Sequence, residues 1–201
     1  MARLFPALIR RTLGQGRYVL LGCWCLLCGL QLIIVGQAAA IEAQQSFGRL
    51  TELVPAFLQR GLGSRALLLA TFKGTVAFGY FHPVVVMVVS VLAAYFTTEA
   101  AHEVEAGLVD LELARPVPRH TIVTRSLLAG AIAVGVAGML MAAGTWIGLA
   151  VFASPQFDAP SAAIVGRLIV NLLAVAALFG ALGAAIAAGA RQARQRAGKV
   201  A

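Results

Sequence analysis

The sequence predicts an all-α integral membrane protein: four transmembrane helices, an N-terminal interfacial helix, and a short charged cytoplasmic helix between spans two and three. Three observations predict it. Hydrophobic residues make up 60% of the chain and charged residues 12%, with a mean hydropathy of +0.88, well outside the range of soluble domains. Four intervals are free of charge and long enough to cross a hydrocarbon core of roughly 30 Å, which takes about 20 residues. These intervals are continuous apolar runs without the period-2 alternation of barrel strands, so they read as helices.

Charged residues bracket each span. Arg17 and Glu42 flank the first (18–37), Lys73 and Glu99 the second (79–98), Arg125 and Asp158 the third (126–153), and Arg167 and Arg191 the fourth (168–190). One transmembrane domain therefore covers residues 1–201. Lys and Arg are retained on the cytoplasmic side during insertion. With the N-terminus inside, Arg3, Arg10, Arg11, Arg17, Arg115, Arg119, Arg125, Arg191, Arg194, Arg196 and Lys199 face the cytoplasm, against five basic residues outside. Both termini are thus expected in the cytoplasm of a cell (inner) membrane protein. The formal charge of +8 describes loops facing anionic lipid, and nucleic-acid binding is not expected, because no soluble domain presents the basic residues to a groove.

Before the first span, residues 1–16 repeat Leu4, Leu8 and Phe5, Ile9, Leu13 at helical spacing beside Arg3, Arg10 and Arg11, the pattern of a helix lying on a leaflet. A basic tail that only sets topology is the alternative. A cleaved signal peptide is disfavoured by an apolar run longer than a signal core and by the 17 residues ahead of it. Between spans one and two, segment 38–78 is long for a plain loop. Phe47, Leu50, Val54, Phe57 and Leu58 share a helical face, which suits an amphipathic helix on the outer surface. It reads either as part of an outer gate or as a connector.

Cys23, Cys25 and Cys28 lie in the first span. At about 100° per residue Cys23 and Cys25 point apart, and Cys25 with Cys28 supply too few ligands for zinc. They read as packing residues, with no metal and no cofactor expected. Spans three and four are rich in small residues, including Gly144-x-x-x-Gly148, a spacing that lets helix backbones approach closely. No Asp, Glu, Lys, Arg or His lies in a span core apart from His82 at the outer edge of the second. That argues against a proton-coupled pump, an ion-selective channel or a charged catalytic group in the membrane. Gln31, Thr145 and Asn171 are expected to hydrogen-bond between helices.

The 99–119 elbow is the most informative stretch. It holds five of the eight acidic residues, Glu99, Glu103, Glu105, Asp110 and Glu112. Glu99 and Glu103 share a helical face, as do Glu105 and Glu112, while Val104, Leu108 and Leu111 form an apolar strip. A short helix of this kind can insert into a groove on another protein; a solvated charged loop is the plainer reading. Pro116 and Pro118 end it, and Arg119 and Arg125 anchor the start of the third span at the headgroups.

The run E-V-E-A-G-L-V-D-L-E-L-A-R-P-V-P-R, residues 103–119, resembles the signature of ABC-2 type transporter permeases. There an acidic stretch precedes Gly-Thr-Leu-Glu, a leucine pair, Pro-Val-Ser-Arg and the next span. Glu105, Gly107, Asp110, Leu113, Pro116, Val117 and Arg119 match that pattern. Leu108 stands in place of the threonine, Glu112 of a leucine and Pro118 of the serine. The order of elements also agrees. The resemblance implies that Glu99, Glu103, Glu105, Gly107, Asp110, Leu111, Leu113, Pro116 and Arg119 belong to a coupling helix that fits a cleft on a separate ATPase subunit. It implies two ATPase copies, a second permease subunit as homo- or heterodimer, and export as the direction. Members of that family usually have six spans, so the basic tail 191–201 is expected to be the turn into a missing fifth span, with a fragment as the first explanation and a natural four-span form as the second.

No G-x-x-x-x-G-K-[ST] phosphate loop occurs, so ATP hydrolysis is expected on a partner and the chain is not expected to be an enzyme. A non-transporting four-helix membrane scaffold or assembly factor is the competing expectation. A lipid-modifying enzyme is third, since no His, Cys or carboxylate constellation sits at a membrane edge.

Overall fold

The computed structural model describes residues 4–44, 71–105 and 119–197, and every regular element among them is helical. In chain order these are α1 (Leu4–Gln15), α2 (Arg17–Ala43), α3 (Phe72–Phe78), a 3₁₀ turn (Gly79–Phe81), α4 (Pro83–Glu105), α5 (Arg119–Phe152) and α6 (Ala162–Ala197). Four stretches are long and apolar enough to cross a membrane: Arg17–Ala43, Phe72–Thr98, Thr124–Phe152 and Ala162–Ala187. At 1.5 Å per residue their 26 to 29 residues measure about 39 to 44 Å, more than the roughly 30 Å of hydrocarbon. The chain is an all-α, multi-pass membrane protein.

Local chemistry sets the ends of the elements. Gly16 separates α1 from α2 and accepts the Leu20 N–H at 2.9 Å. Thr71 has extended backbone and accepts the Gly74 N–H on Oγ1 at 3.1 Å, an N-cap for α3. Pro83 opens α4, where a missing N–H costs nothing, and it holds His82 at φ −54°, ψ 138°, outside the helical region. Of segment 38–78, residues 38–43 continue α2 and Phe72–Phe78 form α3. The amphipathic pattern from Phe47 to Leu58 lies outside the described residues.

Two compact units divide the chain. The first comprises Met1–Leu21, Met87–Val136 and Leu173–Ala201. Its core holds Val89, Leu92, Phe96, Ala129, Ala133 and Val134. Small residues bring its helices close. A Cβ on Gly130 would stand 3.2 Å from Phe96 Cβ, and one on Gly180 3.2 Å from Thr97 Cγ2, so α4 packs closely against both α5 and α6. Arg125, read from sequence as a headgroup anchor, is instead 1% exposed. The reason is that α5 already begins at Arg119, which carries residue 125 into the packed part of this unit.

The second unit comprises Gly22–Val86 and Ala137–Leu172. Val35, Ala38, Ala39, Phe72 and Val76 form a buried cluster, with Leu149, Ala153 and Phe157 packed on it. The Phe72 and Phe157 rings meet at 5.3 Å. Gly144 and Gly148 face α2: a Cβ would stand 2.8 Å from the Cys28 carbonyl oxygen at the first and 2.9 Å from Val35 Cβ at the second. Lys73 Nζ pairs with Asp158 Oδ1 at 3.2 Å, but the aspartate is 80% exposed. Solvent screening leaves such a pair worth about 0 to 1 kcal/mol. Asp158→Asn is therefore expected to leave the melting temperature within about 4 °C of the parent protein, as read by a detergent-solution thermal melt.

Candidate functional site: a polar cluster at a break in the second span

The second span is two helices in line. α3 ends at Phe78, the chain passes through the 3₁₀ turn Gly79–Phe81, and α4 starts at Pro83. Such a break frees backbone groups that hydrocarbon cannot satisfy, so it persists only where protein groups replace the lost partners. His82 does so on the α4 side: its carbonyl accepts the Val86 N–H at 3.0 Å and its Nδ1 accepts the Val84 N–H at 3.3 Å.

On the α3 side the replacement comes from other helices. Gln31 of α2, Tyr80 of the 3₁₀ turn and Thr145 of α5 are all 0% exposed. Gln31 Nε2 donates to the Val76 carbonyl at 3.2 Å and to Thr145 Oγ1 at 3.1 Å. Thr145 Oγ1 lies 3.1 Å from the Met141 carbonyl and 2.9 Å from Tyr80 Oη. A hydroxyl has one proton and two lone pairs. The arrangement that accounts for all three contacts of this hydroxyl has Thr145 donating to Met141 and accepting from both Gln31 and Tyr80. The amide orientation follows too, since a flipped Gln31 would set its oxygen against the Val76 carbonyl.

Gln31 Oε1 is buried without a hydrogen-bond partner and points at Gly79, where a Cβ would overlap it. Glycine is needed there because only a bare Cα leaves room for the amide beside the turn. The cluster contains no charged group and no nucleophile with a base beside it, so it offers structural latching and not covalent chemistry. A 3₁₀ interruption in a helix is a common place for a hinge.

Gln31 and Thr145 bond between helices, as their polarity in apolar spans suggested, whereas Asn171 is exposed. Tyr80 was missed. An aromatic in an apolar run reads as packing, and only the Gly79 and Pro83 around it hint at a break. Of the elbow residues, Glu99, Glu103 and Glu105 lie in the last turns of α4, which runs without interruption from Pro83. Arg119 is the first residue of α5. Gly107, Asp110, Leu111, Leu113 and Pro116 lie outside the described residues. Among the described residues, no three His, Cys, Asp or Glu side chains are grouped to hold a metal ion. Compared with known protein families, curated proteins and solved structures, the chain matches none.

Proposed function

We propose that the chain is the membrane-spanning permease subunit of an ATP-driven transporter of the ABC-2 type, acting as an exporter in the cell (inner) membrane with both termini in the cytoplasm. The observation that carries this reading is the 99–119 elbow, whose Glu105, Gly107, Asp110, Leu113, Pro116, Val117 and Arg119 match that family's coupling-helix signature. A helix with acidic flanks and an apolar strip suits the groove of a partner. Two ATPase subunits and a second permease subunit complete the assembly.

The geometry supports the reading in one further respect. α4 is continuous from Glu105 back to Pro83, about 33 Å of unbroken helix, so a displacement of the elbow is carried along a stiff rod. At the far end of that rod stands the Gly79–Phe81 turn. Force entering at the glutamates would be absorbed as a change of angle at that turn.

Charge reversal tests the elbow directly. Glu103→Lys with Glu105→Lys is expected to reduce co-purification of an ATPase subunit at least about tenfold, the effect of losing about 1.4 kcal/mol at a docking surface, while membrane insertion is unchanged. The measurement is affinity purification of the tagged chain from its own host in mild detergent, with mass spectrometry of what is retained. An unmodified chain that brings down no nucleotide-binding subunit would overturn the permease reading in favour of a membrane scaffold.

A further inference from the structure

Within the first unit, α4, α5 and α6 enclose a cleft of about 430 Å³. Ala93 and Thr97 of α4, Gly130 and Val134 of α5, and Ala176 and Gly180 of α6 line it. The volume is nearly three times that of the roughly 150 Å³ apolar cavity that holds a benzene molecule. The lining asks for nothing polar: the single hydroxyl, on Thr97, already shares its one proton between the Ala93 and Ala94 carbonyls, at 3.1 Å each. The cleft opens at its rim through Leu127, Ala131, Ala177 and Ala181, all exposed.

Position along the spans narrows the occupant. The α6 lining runs from Leu173 to Ala181, about 12 Å of helix. Leu173 lies close to the middle of the Ala162–Ala187 span, and Ala181 lies toward its C-terminal end. The α5 lining runs the other way, with Val134 nearer the middle of Thr124–Phe152 and Leu127 near its start. The cleft thus covers the depth of one leaflet, about 15 Å of hydrocarbon. Its outward end leads toward a basic zone: Arg119 opens α5, and Arg191, Arg194 and Arg196 close α6, whereas Arg125 is buried and takes no part. The end of α4 adds Glu99, Glu103 and Glu105, and α1 and α2 add Arg10, Arg11 and Arg17 within the same unit. With Asp110, Glu112 and Arg115 of the segment joining α4 to α5, eight arginines against five carboxylates leave that end cationic by sequence.

We propose that this cleft is a binding site for an anionic phospholipid, which lays one acyl chain between α5 and α6 and sets its headgroup at the basic ends of those helices. An apolar slot of one-leaflet depth selects the chain, and the surplus of arginines selects the charge. The site does not depend on the transport reading; a scaffold with this cleft would hold the same lipid.

The test uses the full chain reconstituted in phosphatidylcholine vesicles doped with phosphatidylglycerol carrying a photoreactive acyl chain, with crosslinked peptides mapped by mass spectrometry. Labelling is expected to concentrate on residues 127–134 and 173–181. Phosphatidylcholine bearing the same photoreactive chain is expected to label there about fivefold less, the factor for one basic contact. Filling the cleft with Ala131→Leu and Ala177→Phe is expected to lower labelling at least about fivefold, whereas Leu178→Phe, one residue off the cleft, changes nothing. Labelling spread evenly over exposed positions such as Val91, Met139 and Val170 would overturn the proposal, leaving ordinary solvent lipid. So would equal labelling by the two headgroups. Efficient disulfide formation between two copies of Ala177→Cys would overturn it as well, by making the cleft a helix interface. If the filled variant does not fold, the labelling map of the unmodified chain decides alone.

Discussion

Gly144→Leu is expected to prevent the native packing of α5 on α2 and to leave little folded protein in detergent solution. The contact at Gly144 is with backbone. A Cβ there would stand 2.8 Å from the Cys28 carbonyl oxygen, itself part of the α2 ladder, and 3.4 Å from Cys28 Sγ. A side chain can rotate away from an intruder; a helical carbonyl cannot move without moving its helix. Overpacking of a well-filled interior costs about 1 to 3 kcal/mol even when side chains yield, so Gly144→Ala is expected at the upper end of that range and Gly144→Leu beyond it. Gly148→Ala meets Val35 Cβ at 2.9 Å and Cγ1 at 3.0 Å, and is expected to cost less because valine has some freedom to shift. Gly135 on the same helix has nothing within 4 Å of its would-be Cβ. Gly135→Ala is therefore expected to stabilise by roughly 0.5 to 1 kcal/mol through helix propensity alone. Thermal unfolding followed by gel filtration in detergent measures all four. A Gly144→Ala protein that melts with the parent would mean that α2 and α5 do not meet at Cys28.

These two glycines also show how far the sequence could be read. Their four-residue spacing announced a close helix contact, because small side chains matter only where something presses on them. Nothing in the spacing named α2 as the partner. The four spans were legible for a similar reason: hydrocarbon excludes charge, so Arg17, Lys73, Arg125 and Arg167 stand before them and Glu42, Glu99, Asp158 and Arg191 after them. That logic failed at Arg125, which is buried because helix and apolar run need not start at the same residue. It was also blind to the break at Gly79–Phe81. Hydropathy counts transfer energy residue by residue and does not register the break, where the Val76 carbonyl is met by Gln31 from a distant part of the sequence and the Val84 amide by His82 close at hand. The elbow rests on sequence for residues 106–118, where the match to a signature supplied what periodicity alone did not.

Thr145→Val is expected to destabilise the protein by roughly 2 kcal/mol, more than any other single change within the polar cluster. Valine keeps the shape of threonine and removes only the hydroxyl, but that oxygen accepts from Gln31 Nε2 at 3.1 Å and lies 2.9 Å from Tyr80 Oη. Both donors would be left in an apolar interior. An orphaned buried donor costs about 1 to 3 kcal/mol, and couplings between polar side chains of membrane helices average nearer 0.6, which places two of them near 2. Tyr80→Phe takes away one donor and strands none, leaving Thr145 with its bonds to Gln31 and Met141, so it is expected to cost under about 1 kcal/mol. Thr145→Ser keeps the hydroxyl and should recover most of the loss, separating the hydrogen bonds from the lost methyl. The decisive comparison is the double variant. With Tyr80 already phenylalanine, one of the two stranded donors no longer exists, and Thr145→Val should cost about 1 kcal/mol less than it does alone. Equilibrium unfolding of the four proteins in mixed micelles supplies the cycle. Strict additivity would show that Tyr80 and Thr145 do not share a proton, and the latch across the broken span would reduce to the Gln31 amide on the Val76 carbonyl.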